Sequence, residues 1–285
     1  MPGGKRFVPD MPVRIVQSKQ NARLKQLRQA LAHPGRNGCD LAGIEGPKLL
    51  DEALRAGLRV ACVFAAQGAE PLLDGLPLPP EAEILLLPRE LLNSALTTET
   101  PQPVAALVEP PKWTWEDVFA DHAKAPLLIV LAGLQDPGNV GTILRSAEAF
   151  GASAVLSLTG TVSTWNPKAV RASAGSLFRL PLLIVETENC FARLRQEGVR
   201  ILTTAVEGAE AAERIDLADP VALIIGNEGN GVPQELAAQA DGAVTIPCPG
   251  PVESLNAAIA ASVLLYEASR QRAGHTPKGA RHESL

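Results

Sequence analysis

The sequence predicts an α/β protein built around an open parallel sheet with helices on both of its faces. Between residues 126 and 272, short apolar runs alternate with segments of helical spacing. This alternation is typical of a parallel sheet with crossover helices. The runs at 127–131 and 221–225 contain no polar residue, as expected for strands buried on both faces. Residues 12–109 precede this part and predict a smaller α/β unit.

The smaller unit is predicted from shorter patterns. Leu24, Leu27 and Leu31 recur at helical spacing, and Gly57 closes a second helical segment. The stretch that begins at Pro110 is polar and proline-rich and predicts a linker. The predicted segments are helices over 23–31 and 47–54, strands over 59–64, 83–87 and 105–108, and a linker over 110–125.

The larger unit covers residues 126–272, and a basic tail at 273–285 is expected to be disordered. Gly151 follows a helical segment at the position where glycine commonly ends helices. The predicted strands are 127–131, 154–158, 180–185, 199–204, 221–225 and 243–246. The predicted helices are 140–150, 167–178, 190–197, 233–240 and 255–270.

Composition narrows the class of protein. Of the 285 residues, 46% are hydrophobic and 20% are charged, which indicates a globular chain. No apolar run reaches the length of a membrane span, and the N-terminus has no apolar signal segment. Four cysteines occur without a C-x-x-C pair, so we expect no metal site and reduced thiols in a cytoplasmic protein.

Charge is distributed unevenly along the chain. Residues 1–36 carry eight Lys or Arg and one acidic residue, although the whole chain has a net charge of −5. Such asymmetry favours a local patch that binds a polyanion, or a face that is merely solvated. The candidate polyanion-contacting residues in this region are Arg14, Lys19, Arg23, Lys25 and Arg28.

Three loops follow predicted strands and carry the candidate chemistry. They span 134–145, 226–231 and 247–256, and each is rich in Gly, Pro or Asn and leads into a helix. Ligands of open α/β sheets bind beyond the carboxyl ends of the strands, and helix N-termini offer free backbone amides to polar groups. None of the loops has the spacing of a dinucleotide fingerprint or a phosphate-binding P-loop.

Taken together, the three loops resemble the motifs of the SpoU-TrmH family of RNA 2′-O-ribose methyltransferases. The matching stretches are NVGTILRSAEAFGA (139–152), LIIGNEGNGV (223–232) and IPCPGPVESLNAAIA (246–260). The sequence VRASAG (170–175) between the first two also fits. Residues 14–25 and 45–54 resemble, more loosely, the substrate-binding domain that precedes the catalytic domain in many members.

The resemblance implies properties that the residue pattern cannot supply. It implies a catalytic domain that ends in a deep trefoil knot, which forms the pocket for S-adenosylmethionine. It also implies a homodimer with its active site at the subunit interface. The expected substrate is structured RNA, with ribosomal RNA favoured over transfer RNA.

Individual residues are assigned by their match to the family motifs. The resemblance implies catalytic roles for Asn139, Arg145, Glu228, Ser254 and Asn256. It implies donor binding, largely through backbone groups, by Thr204, Gly226, Ile246 and Leu255.

Methyl transfer to a ribose hydroxyl needs in-line alignment and the removal of one proton. Arg145 has the planar fork that clamps a phosphate; a role as general base stays open, although arginine normally keeps its proton. Asn139 is expected to cap the helix that carries Arg145, and Ser254 and Asn256 to cap the closing helix or bind ligands.

Two other functions stay open at this point. The chain can be a methyltransferase of the same knotted class that acts on an RNA base, or a non-catalytic RNA-binding relative. Trp113 and Trp115 either pack the linker or stack on RNA bases.

Overall fold

The computed structural model describes residues 13–34, 41–206, 208–251 and 254–274. The internal contacts of the chain divide it into two compact units. The first unit contains the described residues up to 112 together with 137–145 and 162–179, and the second contains the others. The domains expected from the sequence are continuous stretches of chain, whereas each compact unit combines several stretches. The expected domain limits therefore remain a prediction.

The first unit contains a mixed sheet. Its described strands are β1 (Val13–Ile15), β2 (Ala42–Glu45), β3 (Val60–Ala66), β4 (Glu83–Leu87) and β5 (Val104–Val108), in the order β1-β4-β3-β5-β2. Strand β4 is parallel to β1 and β3, whereas β5 is antiparallel to β2 and β3. The predicted strands β3, β4 and β5 are confirmed. Strands β1 and β2 escape prediction because they have three and four residues and lack an apolar run.

Three described helices accompany this sheet: α1 (Ala22–Ala32), α2 (Pro47–Arg55) and α3 (Arg89–Asn93). Helix α1 begins where the Asn21 side chain accepts a hydrogen bond from the backbone N–H of Leu24. Its predicted apolar face is confirmed, since Leu24, Leu27 and Leu31 are buried in one cluster with residues of β3, β4 and β5. Helix α2 starts on a proline, which is favoured at the first helical position.

The second sheet confirms the predicted α/β fold with a parallel sheet. Its described strands are β6 (Leu127–Leu131), β7 (Ala154–Leu158), β8 (Leu182–Val185), β9 (Arg200–Thr204), β10 (Glu210–Ala211), β11 (Val221–Ile225) and β12 (Gly242–Thr245). All pairings are parallel, in the order β10-β12-β9-β11-β6-β7-β8. Every residue of the central strands β6 and β11 is buried, because helices cover both faces of such a sheet.

The remaining helices are α4 (Trp115–Val118), α5 (Pro137–Ala149), α6 (Pro167–Ser173), α7 (Thr187–Gln196), α8 (Gln234–Ala237) and α9 (Ala257–Ala273). Helix α4 lies inside the predicted linker. It begins where Asp117 accepts hydrogen bonds from the backbone N–H and the hydroxyl of Thr114. Trp113 and Trp115 pack against the core of the second unit together with Phe119.

The predicted helix over 167–178 is wrong in its second half. Helix α6 ends at Ser173, and Ala174 and Gly175 adopt left-handed backbone angles before a short 3₁₀ turn at Ser176–Phe178. Gly175 lies so close to Glu52 that a Cβ atom there would be 2.8 Å from the carboxylate. The left-handed backbone at Ala174 and Gly175 ends the helix here, in a conformation that glycine adopts without strain.

The ends of other helices also differ from the prediction. Helix α5 starts at Pro137 rather than at 140, and α9 runs three residues past the expected end. Ala273 therefore belongs to α9 and not to the predicted tail; residues 275–285 lie outside the described residues. Within the described ranges, no helix combines the length and the apolar character needed to cross a membrane.

Candidate active site

The first of the three loops connects β6 to α5. Asn139 is the third residue of α5 and is 8% exposed. The expectation that Asn139 caps this helix is therefore wrong: the helix begins two residues earlier, at Pro137, since proline is favoured at a first helical position. The buried amide of Asn139 instead lies inside the first helical turn.

Arg145 lies further along the same helix and is exposed. In the described part of the chain, no residue forms an ion pair with it. Four residues before it, Gly141 lies so close to α6 that a Cβ atom there would be 2.3 Å from the carbonyl oxygen of Ala169. The close packing of α5 on α6 fixes the helix and leaves the guanidinium of Arg145 available to an anion.

The second loop is joined to the first by Glu228 and Asn227. The carboxylate of Glu228 accepts one hydrogen bond from the backbone N–H of Gln135 and one from that of Asp136, both at 3.1 Å. The amide of Asn227 donates to the carbonyl oxygen of Gly133 at 2.8 Å. Glu228 therefore holds the chain that leads into α5, and its role in the structure is to position the first loop.

The second loop also closes tightly on itself. The backbones of Asn227 and Gly231 exchange two hydrogen bonds of 2.9 Å, and the side-chain oxygen of Asn227 accepts from the N–H groups of Gly229 and Asn230. Gly226 is buried against this turn: a Cβ atom there would be 2.2 Å from the backbone of Gly231 and Val232. Only glycine fits this position.

The third loop leads into α9. The side chain of Asn256 accepts hydrogen bonds from the N–H groups of Ala258 and Ile259, so its expected capping role is confirmed. Ser254 is exposed and Leu255 is half-buried. Because Asn256 fixes the start of α9, it also fixes where the preceding Ser254 and Leu255 lie.

Three of the four predicted donor-binding residues lie at one edge of the second sheet. Thr204 ends β9, Gly226 follows β11 and Ile246 follows β12, and these three parallel strands are adjacent. The hydroxyl of Thr204 donates to the carbonyl oxygen of Ile224 and fastens β9 to β11 at this edge. Carboxyl ends of neighbouring parallel strands form the usual ligand-binding edge of an open α/β sheet.

The five basic residues predicted to contact the substrate form two groups. Arg14 and Arg23 both form ion pairs with Glu83, at 3.6 and 3.0 Å. Lys19 and Lys25 are exposed and Arg28 is half-buried. Glu83 neutralises only one of these two positive charges, whereas Lys19, Lys25 and Arg28 form no ion pair among the described residues and are the stronger candidates for contact with a polyanion.

Some functional groups of this site are not visible in the sequence pattern. The backbone N–H groups of Gln135 and Asp136 donate hydrogen bonds to Glu228 only in the folded chain. The only sequence signal for Asn227 is its position in a Gly-rich loop. Burial raises the pKa of the Cys62 and Cys190 thiols to about 12, so neither is a nucleophile near neutral pH. The described residues contain no group of three or more metal-ligating side chains.

The fold and this edge define an α/β protein in which three loops follow strands of a parallel sheet, at the edge where ligands of open α/β sheets usually bind. Residues 126–266 match the model of the SpoU rRNA methylase family. The chain is 31% identical to the 23S rRNA (guanosine(2553)-2′-O)-methyltransferase RlmP of Bacillus subtilis, over 88% of this chain and 97% of that protein. The chain therefore belongs to the SpoU rRNA methylase family, and the resemblance seen in the motifs is confirmed.

Two further similarities agree with this assignment. The 23S rRNA (guanosine-2′-O-)-methyltransferase RlmB of Xanthomonas campestris is 39% identical over 52% of this chain and 60% of its own length. The crystal structure of the SpoU methyltransferase AviRb from Streptomyces viridochromogenes, in complex with the cofactor AdoMet, superposes with a TM-score of 0.79. It is 29% identical and covers 90% of this chain and 100% of its own.

Proposed function

We propose that this protein transfers a methyl group from S-adenosylmethionine to a ribose 2′-hydroxyl of RNA, with ribosomal RNA as the favoured substrate. The observation that carries the proposal is the position of Thr204, Gly226 and Ile246 at the carboxyl ends of three adjacent parallel strands. The names of the relatives, which are rRNA 2′-O-methyltransferases, support the same activity.

The residues at this edge fit the methyl donor. Gly226 carries no side chain, so a ligand at this position would meet backbone groups, while Ile246 and Leu255 offer half-buried aliphatic surface for an adenine ring. S-adenosylmethionine, when bound, supplies a methyl group that is already strongly electrophilic. The protein's own contribution is to align the ribose with this methyl group and to accept one proton.

Arg145 would hold the phosphate next to the target ribose. Its exposed guanidinium can donate two parallel hydrogen bonds to phosphate oxygens, which fixes both position and orientation. Asn139 in the first turn of the same helix would bind the ribose, and Ser254 and Asn256 would contact substrate or donor from the start of α9. A role of Arg145 as general base is a second possibility, which the clamp does not require.

A radiolabelled donor tests the reaction. The protein is incubated with ribosomal or transfer RNA and S-adenosylmethionine labelled in its methyl group, and the RNA is then hydrolysed with alkali. Alkaline cleavage needs a free 2′-hydroxyl, so ribose methylation leaves labelled dinucleotides, whereas base methylation leaves labelled mononucleotides. Label in mononucleotides would identify a base methyltransferase, and RNA binding without label would identify a non-catalytic relative.

A homodimer is part of the proposal. Ile259, Val263 and Tyr266 are exposed apolar residues spaced by four and three positions, so they share one face of α9. We propose that a second copy of the chain packs against this face. Light scattering should give twice the chain mass for the wild-type protein and a smaller mass for Val263→Glu. A fully active monomer would contradict the dimer.

We further propose that α9 closes a trefoil knot. The guanidinium of Arg272, at the end of α9, donates to the carbonyl oxygens of Leu217 and Asp219 and to those of Ala125 and Pro126. These bonds join the helix to two distant segments of chain, as expected for a helix enclosed by a loop.

The first sheet and its helices are proposed as a separate RNA-binding domain over 12–109. Its exposed Lys19 and Lys25 and the half-buried Arg28 would contact phosphates of structured RNA. The cytoplasm, where ribosomal RNA is found, is the proposed compartment.

A further inference from the structure

The second unit contains a cavity of about 530 Å³ that no step of the proposed reaction uses. It lies between helix α7, strand β8 and Trp115 of the linker. A volume of this size is typical of small-molecule sites, and it is larger than one nucleobase needs.

Helix α7 contributes one face to the cavity. Asn189, Ala192, Arg193 and Gln196 line it, and their spacing of three, four and seven residues places them on the same side of the helix. The small side chain of Ala192 leaves space between the two amides. Each amide carries a donor and an acceptor, so this face can recognise the polar edge of a heterocycle.

Apolar surface lines another part of the cavity. Ile184 lies on β8, the outermost strand of the sheet, and is 71% exposed, the largest exposure of any large apolar side chain described. The half-buried ring of Trp115 also borders the cavity, and it already stacks on Phe119 with a centroid distance of 6.2 Å and an interplanar angle of 11°. A planar ligand can extend this stack.

The charges at the cavity disfavour a phosphate. Glu186 lines it, and the other charged group, the guanidinium of Arg193, forms an ion pair with Glu197 at 2.9 Å. An anion would be repelled by Glu186 and would find the arginine already paired. An amino group on a neutral ring, in contrast, can donate a hydrogen bond to the carboxylate of Glu186.

The position of the cavity connects it to the proposed active site. Thr159 and Glu186, which both line it, directly follow β7 and β8, so this part of its lining lies at the carboxyl edge that also holds Gly226 after β11. Strand β8 is three places away from β11 in the sheet. At the usual strand spacing, the separation is about 14 Å, which a few nucleotides of single-stranded RNA can span.

We propose that this cavity binds an unpaired base of the RNA substrate, one with an exocyclic amino group, a few nucleotides from the ribose that is methylated. The inference rests on the proposed function and adds a specificity subsite to it. The base stacks on Trp115 and is recognised by Glu186 and the amides of α7.

The test uses the full chain and two kinds of variant. Ala192→Phe fills the cavity, and Trp115→Ala removes the stacking surface. Ala238→Phe, at an exposed position next to α8, is the matched control for adding a phenyl ring to the surface. If Trp115→Ala fails to fold because its ring also packs on the core, Ala192→Phe alone carries the test.

The first measurement is the steady-state methylation of ribosomal RNA. Stacking of one base accounts for about a tenfold change in affinity, so Ala192→Phe should raise the KM for RNA about tenfold and leave kcat and the donor Kd unchanged. The second measurement needs no activity: fluorescence anisotropy of labelled hexaadenylate and hexauridylate. The wild-type protein and Ala238→Phe should bind the adenine oligonucleotide more tightly, and Ala192→Phe should lose this preference.

An unchanged KM and an unchanged oligonucleotide preference in Ala192→Phe would overturn the proposal. The cavity would then be assigned to a protein segment that pairs as an extra strand with the outermost strand β8. Failure of the proposed function has a different signature, because in that case the wild-type protein itself transfers no label to RNA.

Discussion

Replacement of Gly226 by alanine tests whether the second loop holds the donor through its backbone. The added Cβ atom would lie 2.2 Å from backbone atoms of Gly231 and Val232, whereas ordinary contacts begin at 3.4 Å. The turn must therefore move by about 1.2 Å, the difference between these two distances. Neither neighbour is a flexible side chain, so the displacement falls on the backbone bridge between Asn227 and Gly231.

The size of the effect follows from the cost of overpacking. Inserting a methyl group into a tightly packed site costs about 1–3 kcal/mol. If the loop recovers its native form only when the donor binds, that cost is subtracted from the binding free energy. With tenfold in affinity for every 1.4 kcal/mol, the Kd for S-adenosylmethionine should rise about fivefold to 150-fold.

Isothermal titration calorimetry measures this change, and thermal unfolding shows separately whether the variant is folded. Gly229→Ala is the matched control, because its Cβ atom would meet only the side-chain oxygen of Asn227, at an ordinary 3.5 Å. The control should bind the donor as the wild type does. Wild-type affinity in Gly226→Ala, or an equal loss in Gly229→Ala, would refute the reasoning.

Three further predictions concern the reaction and the RNA. Arg145→Ala and Arg145→Lys should both abolish methyl transfer without changing the donor Kd, because a point charge does not replace a planar fork; full activity of the lysine variant would contradict the clamp. Replacing Lys19, Lys25 and Arg28 together with alanine should flatten the salt dependence of RNA affinity by roughly two units, at about 0.7 for each phosphate that is no longer neutralised; an unchanged slope would mean a merely solvated face. Glu228→Ala should lower the free energy of unfolding by about 1 kcal/mol in urea titrations, because two backbone N–H groups lose their acceptor and must donate to water instead. The same variant should reduce turnover more than donor affinity, and wild-type turnover would exclude a positioning role.

The local residue pattern is enough to predict a strand or helix when all the apolar residues of that pattern are buried. Strands β6 and β11 are predicted because every residue in them is apolar, and both are buried throughout. Helix α1 is predicted from the spacing of Leu24, Leu27 and Leu31, which the core then buries. Prediction fails at Gly175, whose left-handed backbone ends α6, because the apolar residues Leu177 and Phe178 follow it and extend the apparent helical pattern.

The candidate site likewise has features that the sequence predicts and features that it does not. The sequence places Gly226 and Ile246 after strands, and parallel topology brings the ends of those strands to one edge. The hydrogen-bond partners of Glu228 could not be predicted in this way, because they are the backbone N–H groups of Gln135 and Asp136. Every residue except proline has a backbone N–H group, so the residue type gives no signal. The pattern around Asn139 predicts the wrong first residue of α5 for a similar reason, since proline and asparagine both favour the start of a helix and only the folded chain selects between them.

The sequence by itself determined the family, the parallel sheet and the three loops that end its strands, because these depend on residue type and spacing along the chain. Only the tertiary structure decided that Glu228 positions the first loop, that Arg14 and Arg23 share Glu83 as their ion-pair partner, and that α7, β8 and Trp115 line an open cavity. The physical reason is that hydrogen-bond partners, ion pairs and empty volume arise between segments distant in sequence. They are set by how the elements pack and not by what each segment prefers alone.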